Sequence, residues 1–324
     1  MTQPRGKNAR PAETASPLGT LLLFACVVIW GVNAVAYKVG GRAFDPLLLN
    51  GLRFLVVAPL ITGIVAVWDP RALRLPGRRD LVRYALYGFA SVAVSETLMV
   101  VAVQHTSVAN MTLLGPGTIP LSVALWAVFL REQTLGRAGW LGALLALAGV
   151  GIVAASGAHG FRVDRESFTG DAIVLVRTVL HGGYLLLLTR TLRERPILTV
   201  TVYNIVFGAL WLLPYVAWRA PHVAWNRVPA DAYFALAWMI LPTTVFGFLA
   251  WNWGMRQVGA VQATNVMYLL PVFGAISGYL LLGEPLTPGQ AVGGVVVIGG
   301  IALLRADALK GAIASSHLPR RSVP

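Results

Sequence analysis

Read as apolar against polar positions, the chain sets ten apolar stretches between short polar loops from Leu18 to Arg305. They cover residues 18–39, 46–68, 81–103, 106–130, 136–156, 168–190, 198–219, 231–254, 260–282 and 287–305. Each matches the roughly 20 helical residues needed to cross a hydrocarbon core of about 30 Å. Lipid offers no partner to backbone N–H and C=O groups, so runs of this length predict helices, which satisfy those groups internally, and not strands. The expected fold class is all-α integral membrane, with ten transmembrane helices.

Composition agrees: 56% of the 324 residues are apolar and only 12% charged, too little polar surface to coat a soluble globule of this size. A net charge of +13 would suggest nucleic acid in a soluble protein, but here the positive residues sort by loop. With the N-terminus in the cytoplasm, 18 of the 26 Lys and Arg fall on the inner side, six lie outside, and two (Arg53 and Arg177) lie within spans. That bias predicts both termini in the cytoplasm and excludes nucleic acid as a partner. Cys26 is the single cysteine, so no disulfide forms within the chain. The first apolar run is too long for a signal peptide core and is read as a retained helix.

An internal repeat organises the spans. A shift of 151 residues carries Gly19 to Gly170, Gly31 to Gly182, Pro120 to Pro271, Leu135 to Leu286, Gly142 to Gly293 and Gly149 to Gly300; Glu132 and Glu284 agree with one residue of slippage. Each repeat holds five spans, an odd number, so the second begins on the opposite side of the membrane. The halves are therefore expected to be inverted, with a binding site near the midplane where they meet. The expected organisation is a tail at 1–17, a first repeat at 18–156, an external linker at 157–167, a second repeat at 168–305 and a cytoplasmic tail at 306–324.

Two blocks, VANMTLLGPGTIPLSVALWAVFLREQTLGRAGWLGALLALAGVGIVA and AVQATNVMYLLPVFGAISGYLLLGEPLTPGQAVGGVVVIGGIALL, carry a mid-helix Pro, a loop Glu, then a Gly-rich helix. In this the chain resembles the EamA family of the drug/metabolite transporter superfamily, over about residues 18–305. The resemblance implies secondary transport across a bacterial inner membrane, commonly export of amino acids or other small metabolites through a central cavity. Arg177 and His181 depart from the apolar or small aromatic residues usual in that family's sixth span.

Broken helices at matching places in two repeats point to a binding site, because freed backbone groups must line a cavity. Span 4 holds Gly115, Pro116, Gly117 and Pro120, and span 9 holds Pro271 and Gly274. Trp30, Asn33 and Tyr37 share one face of span 1, and the 151 shift carries Trp30 to His181 and Asn33 to Tyr184. Asn265 and Tyr268 in span 9 and Trp251 in span 8 complete the candidate lining, although Trp251 and Trp253 also suit an interfacial anchor.

Charges inside the membrane cost on the order of 2.5–3.5 kcal/mol each on insertion scales and need partners. At about 1.5 Å per residue, Arg53 and Glu96 both lie roughly 10 Å in from the outer ends of their spans, and Arg177 roughly 14 Å. An Arg53–Glu96 pair is expected, or Arg53 snorkelling outward alone, with Arg177 left without an acidic partner to hold a substrate carboxylate or other anion. Proton coupling, or contact with a substrate ammonium, is the competing role for Glu96.

Glycines 142, 149, 151, 293, 294, 299 and 300 predict close helix packing within the chain rather than a dimer contact, so a monomer is expected. No catalytic, metal or cofactor constellation is present: there is no HExxH, GxSxG or P-loop, and the five histidines are scattered. The expected partners are a small-molecule substrate and membrane lipid. Neutral or aromatic amino acids are the first substrate expectation, amphiphilic drugs the second, and a channel or intramembrane enzyme the readings of another class.

Overall fold

The computed structural model describes residues 16–156, 165–258 and 266–316. The tails at 1–15 and 317–324, residues 157–164 of the expected linker, and the start of the ninth span with Asn265 lie outside the described residues. The helices are α1 (Pro17–Ala43), α2 (Pro46–Trp68), α3 (Arg78–His105), α4 (Val108–Phe129), α5 (Arg137–Ala155), α6 (Arg165–Leu192), α7 (Ile197–His222), α8 (Ala230–Val258), α9 (Met267–Leu282) and α10 (Pro288–Ser316). Among the described residues, nine of them are long and apolar enough to cross a membrane, and the described part of α9 is shorter. The last helix continues through Ser316, where the sequence suggested a polar tail from 306.

Local chemistry sets the helix ends. Ser16 accepts from the Gly19 N–H at 3.3 Å and Pro17 opens α1, while Asp45 accepts from the Leu48 N–H at 2.9 Å and Pro46 opens α2. Asp45 itself is extended, as the residue before a proline tends to be, which fixes the tight turn between the two helices. The α9 helix ends at Gly283, whose φ of 67° is the left-handed stop that glycine adopts without strain.

The loops place helix ends alternately at two faces: a proximal face, where α1 begins, and a distal face, where it ends. The packing follows a pseudo-two-fold relation. Gly31 on α1 lies so close to Phe273 on α9 that an added Cβ would come within 2.6 Å of the Phe273 Cβ. The same shift of 151 applied to both partners gives Gly182 on α6 against Ser122 on α4, where an added Cβ would meet the hydroxyl at 2.1 Å. Thus α1 packs on α9 and α6 on α4, each crossing from one repeat to the other. The pairs α2–α7 and α5–α10 join equivalent helices of the two repeats. Outward-facing side chains such as Leu144, Val176, Leu180, Leu210, Leu280 and Val295 are exposed, the apolar belt of a protein solvated by lipid.

Both repeats break their helices at corresponding places. In α4 the chain leaves α geometry at Gly115 and makes a 3-10 turn over Pro116–Thr118, because Pro116 has no N–H to donate and disfavours α geometry in the residue before it. In α9 a 3-10 turn covers Met267–Leu269, 151 residues on. The sequence reading missed a second pair: π-helical segments at Phe89–Glu96 in α3 and Met239–Phe246 in α8. Pro242 interrupts the ladder of the latter, and the Thr244 hydroxyl donates to the Met239 carbonyl five residues back at 2.7 Å.

Candidate functional site

Between these breaks lies a cavity of about 350 Å³, lined from α1, α2, α3, α4, α6, α7, α8 and α9. Both π segments reach its wall. Glu96 is the last residue of one, and Thr243 and Thr244 belong to the other. A π turn adds one residue to the helical ring, so side chains after it face a direction that regular α spacing would not give them.

Glu96 is the hub. Tyr37 donates its hydroxyl to Glu96 Oε2 at 2.5 Å, and Arg53 Nη1 donates to the same oxygen at 3.0 Å and to the Tyr37 hydroxyl at 2.9 Å. Arg53 also donates from Nε and Nη2 to Thr244 Oγ1, at 3.0 and 2.8 Å. Its guanidinium carbon lies 4.7 Å from the Phe54 ring centre and 5.6 Å from that of Tyr37, contacts that favour a cation out of water. The pairing expected from depth alone is therefore present, with a tyrosine and a threonine added.

Arg177 corrects the expectation that it has no acidic neighbour. Its Nη2 lies 3.8 Å from Glu96 Oε1, so one carboxylate serves two guanidinium groups. Arg177 is 4% exposed, and its Nε and Nη1 are buried without a hydrogen-bond partner. A guanidinium carries five donors, and leaving donors unpaired in a dry site costs about 1–3 kcal/mol each.

The rest of the wall is aromatic and polar. Trp30 donates its indole N–H to the Thr243 carbonyl at 3.0 Å, its ring lying 4.9 Å from Trp251. The Thr243 hydroxyl donates to Asn33 Oδ1 at 3.0 Å. Met99, Met111, Ile119, Phe248, Met267 and Leu270 supply the apolar surface, beside Thr112. Trp253 faces outward, 40% exposed, so the anchor reading fits it and not Trp251.

Of the candidates read from sequence, Trp30, Asn33, Tyr37, Glu96, Arg177 and Trp251 meet in this cavity. Gly117, Pro120, His181, Tyr184, Tyr268 and Pro271 do not line it. At the α4 break, Pro116 is the residue in the lining, while Gly117 packs against Pro271. His181 turns to α3, its Nδ1 lying 2.9 Å from Ser95 Oγ. Tyr184 accepts from Asn204 Nδ2 at 3.0 Å and stacks edge-on against Tyr87. Tyr268 lies beneath the guanidinium of Arg305, 5.1 Å from its ring centre. The shift that equates Trp30 and Asn33 with His181 and Tyr184 is sound for packing, yet only the first pair faces the cavity.

A second polar system, absent from the sequence reading, lies at the distal face. Lys38 Nζ donates to Glu284 Oε1 at 2.6 Å and to the Thr106 carbonyl at 2.9 Å, and Glu284 Oε2 accepts the Val108 N–H at 2.7 Å. Behind it, Asp171 accepts from Thr106 Oγ1 at 2.6 Å and Asn110 Nδ2 at 2.9 Å, and Gln290 Nε2 donates to Asn110 Oδ1 at 2.8 Å. At the proximal face, Arg190 pairs with Glu132, and Asp307 accepts the Gly136 N–H at 2.7 Å.

Comparison with known proteins agrees with this architecture. The model of the EamA-like transporter family matches residues 17–155 and again 168–306, one match per five-helix repeat. A probable terminal-alkyne amino-acid exporter of Streptantibioticus cattleyicolor is 28% identical over 87% of this chain and 91% of its own length. An uncharacterized transporter of Archaeoglobus fulgidus is 26% identical over 88% of this chain and 96% of its own. A protein of known crystal structure superposes with a TM-score of 0.60 at 21% identity, covering 90% of this chain and 98% of that one, a likeness of fold.

Proposed function

The chain belongs to the EamA-like transporter family, and from that premise we propose that it is a secondary carrier exporting small metabolites, amino acids foremost, by alternating access. The observation that carries the reading is the cavity between the repeats, where Glu96, Arg53 and Arg177 face the aromatic pair Trp30 and Trp251. A charged end beside an aromatic wall suits a small amphiphile with one ionised group. Amino acids are favoured by the relative that bears the name of an amino-acid exporter, and by Asn33, Thr243 and Arg177 as groups that recognise a polar head.

In the proposed cycle the two repeats exchange closure of one face for closure of the other, with the Lys38–Glu284 and Arg190–Glu132 contacts at opposite ends of the path. The inner membrane of a bacterium, with both termini cytoplasmic, is the setting proposed, on the charge bias of the loops.

Counterflow tests the reading. In proteoliposomes loaded with unlabelled phenylalanine, uptake of labelled phenylalanine should overshoot its equilibrium level, as a carrier's exchange does. Flux that scales with concentration, without exchange stimulation, indicates a channel, and no flux for any of the twenty amino acids removes them from the proposal.

A further inference from the structure

We propose that Arg177 is the carboxylate receptor of the cavity, and that the carrier selects monoanionic carboxylates with an apolar body, the amino group of an amino acid being dispensable. The proposal rests on the carrier reading and adds the chemical class of the cargo.

Charge balance is the first argument. Among the described residues, the charged side chains lining the cavity are Arg53, Glu96 and Arg177, two cations against one anion. Each nitrogen of Arg53 is engaged, by Glu96, Tyr37 or Thr244. The surplus positive charge sits on Arg177, which touches Glu96 only at 3.8 Å and keeps Nε and Nη1 without partners. One added negative charge restores neutrality, and a planar guanidinium meets a carboxylate through two parallel N–H bonds.

Acceptor supply is the second argument. An ammonium group in the cavity would need an anion or free oxygens of its own. Glu96 Oε2 already receives Tyr37 and Arg53 and Asn33 Oδ1 receives the Thr243 hydroxyl, so the carboxylate oxygen left is Oε1, 3.8 Å from Arg177, where an ammonium would be a third cation beside two arginines. Among the described residues Glu96 is the single acidic one in the lining, so no second carboxylate is left for a cationic cargo. The remaining wall, with Trp30, Trp251, Phe248, Met267 and Leu270, takes an apolar body.

Three probes that differ only at the polar end test this: phenylalanine, 3-phenylpropionate, which lacks the amine, and phenethylamine, which lacks the carboxylate. Binding is read as ligand-dependent thermal stabilisation of the purified full chain in detergent, which does not require transport. We expect 3-phenylpropionate to stabilise at least as well as phenylalanine, and phenethylamine at least tenfold more weakly. Arg177→Gln should weaken 3-phenylpropionate at least tenfold, and Arg177→Lys, which keeps the charge but not the fork, should fall between. Each variant's melting point without ligand reports whether it folds; if Arg177→Gln does not fold, the comparison of probes on the native chain and on Arg177→Lys decides.

Phenethylamine binding as well as phenylalanine, binding by none of the three, or carboxylate binding untouched by both Arg177 variants each overturns the proposal. Failed counterflow alongside the expected binding pattern would remove the carrier reading and leave the receptor standing.

Discussion

Lys38 Nζ and Glu284 Oε1 lie 2.6 Å apart, joining the distal end of the first helix of one repeat to the α9–α10 loop of the other. Arg190 and Glu132 make the corresponding contact at the proximal face, with the roles of the repeats exchanged. The two differ in surroundings. The distal pair is less than one-fifth exposed and backed by Thr106 and the Val108 N–H, while the proximal pair is about two-fifths exposed. Water screens the latter, so the distal pair is the stronger of the two.

Removing Glu284 should therefore cost more than removing Glu132. Glu284→Gln leaves Lys38 without its anion, a loss of about 1–3 kcal/mol, whereas Glu132→Gln should cost about 0–1 kcal/mol. Thermal unfolding in detergent measures both, and the reversed pair Lys38→Glu with Glu284→Lys should regain part of the loss. Equal effects at the two faces would contradict the difference in burial.

Glu96→Gln should be the most damaging single polar change in the cavity. It leaves Arg53 and Arg177 facing one another without an anion, and breaking a buried pair by removing one partner costs about 3–5 kcal/mol. The double variant Glu96→Gln with Arg177→Met should recover part of that loss. A melting point for Glu96→Gln equal to that of the native chain would show that the carboxylate does not hold the two arginines.

Thr244→Val keeps the side-chain shape and deletes the oxygen that takes two bonds from Arg53. A loss of about 1–3 kcal/mol is expected, with Thr244→Ser close to native. Strong recovery by serine separates the hydrogen bonds from packing of the methyl group, and unfolding of the three proteins side by side reads it.

The α5–α10 seam offers a packing test with its own control. A Cβ at Gly142 would come within 2.6 Å of the Gly300 carbonyl oxygen, whereas nothing lies within 4 Å of one at Gly151 or Gly299. Gly142→Ala should destabilise by about 1–3 kcal/mol, since backbone on the facing helix must move. Gly151→Ala and Gly299→Ala should be neutral or stabilise by up to about 1 kcal/mol, alanine being the better helix former. Gel-filtration profiles and melting points of the three variants give the comparison.

Much of this architecture was legible because membrane depth is a one-dimensional quantity. Span length, loop charge and the 151-residue repeat need only counting, and depth alone paired Arg53 with Glu96. Direction around a helix axis was less legible. The π segments end at Glu96 and span Thr243 and Thr244, and regular spacing does not foresee where those side chains point. Hence regular spacing predicts neither Thr244 as the partner of Arg53 nor Glu96 as a neighbour of Arg177. His181 and Tyr184 were placed in the cavity by analogy with Trp30 and Asn33, but α6 turns that face toward α3 and α7. Asp171 is a signal the sequence does carry: an acidic residue just inside a span, whose partners Thr106 and Asn110 lie at the facing ends of α3 and α4.

The crossing of α1 onto α9 and of α6 onto α4 has a consequence for how such a chain is assembled. Each repeat, made alone, would present its leading helix to lipid with a glycine notch and no ridge to fill it. Two fragments produced separately from a cut between residues 156 and 168 would complete one another only by exchanging those leading helices. Duplication here has yielded two interlocked parts, and the smallest complete unit is the pair.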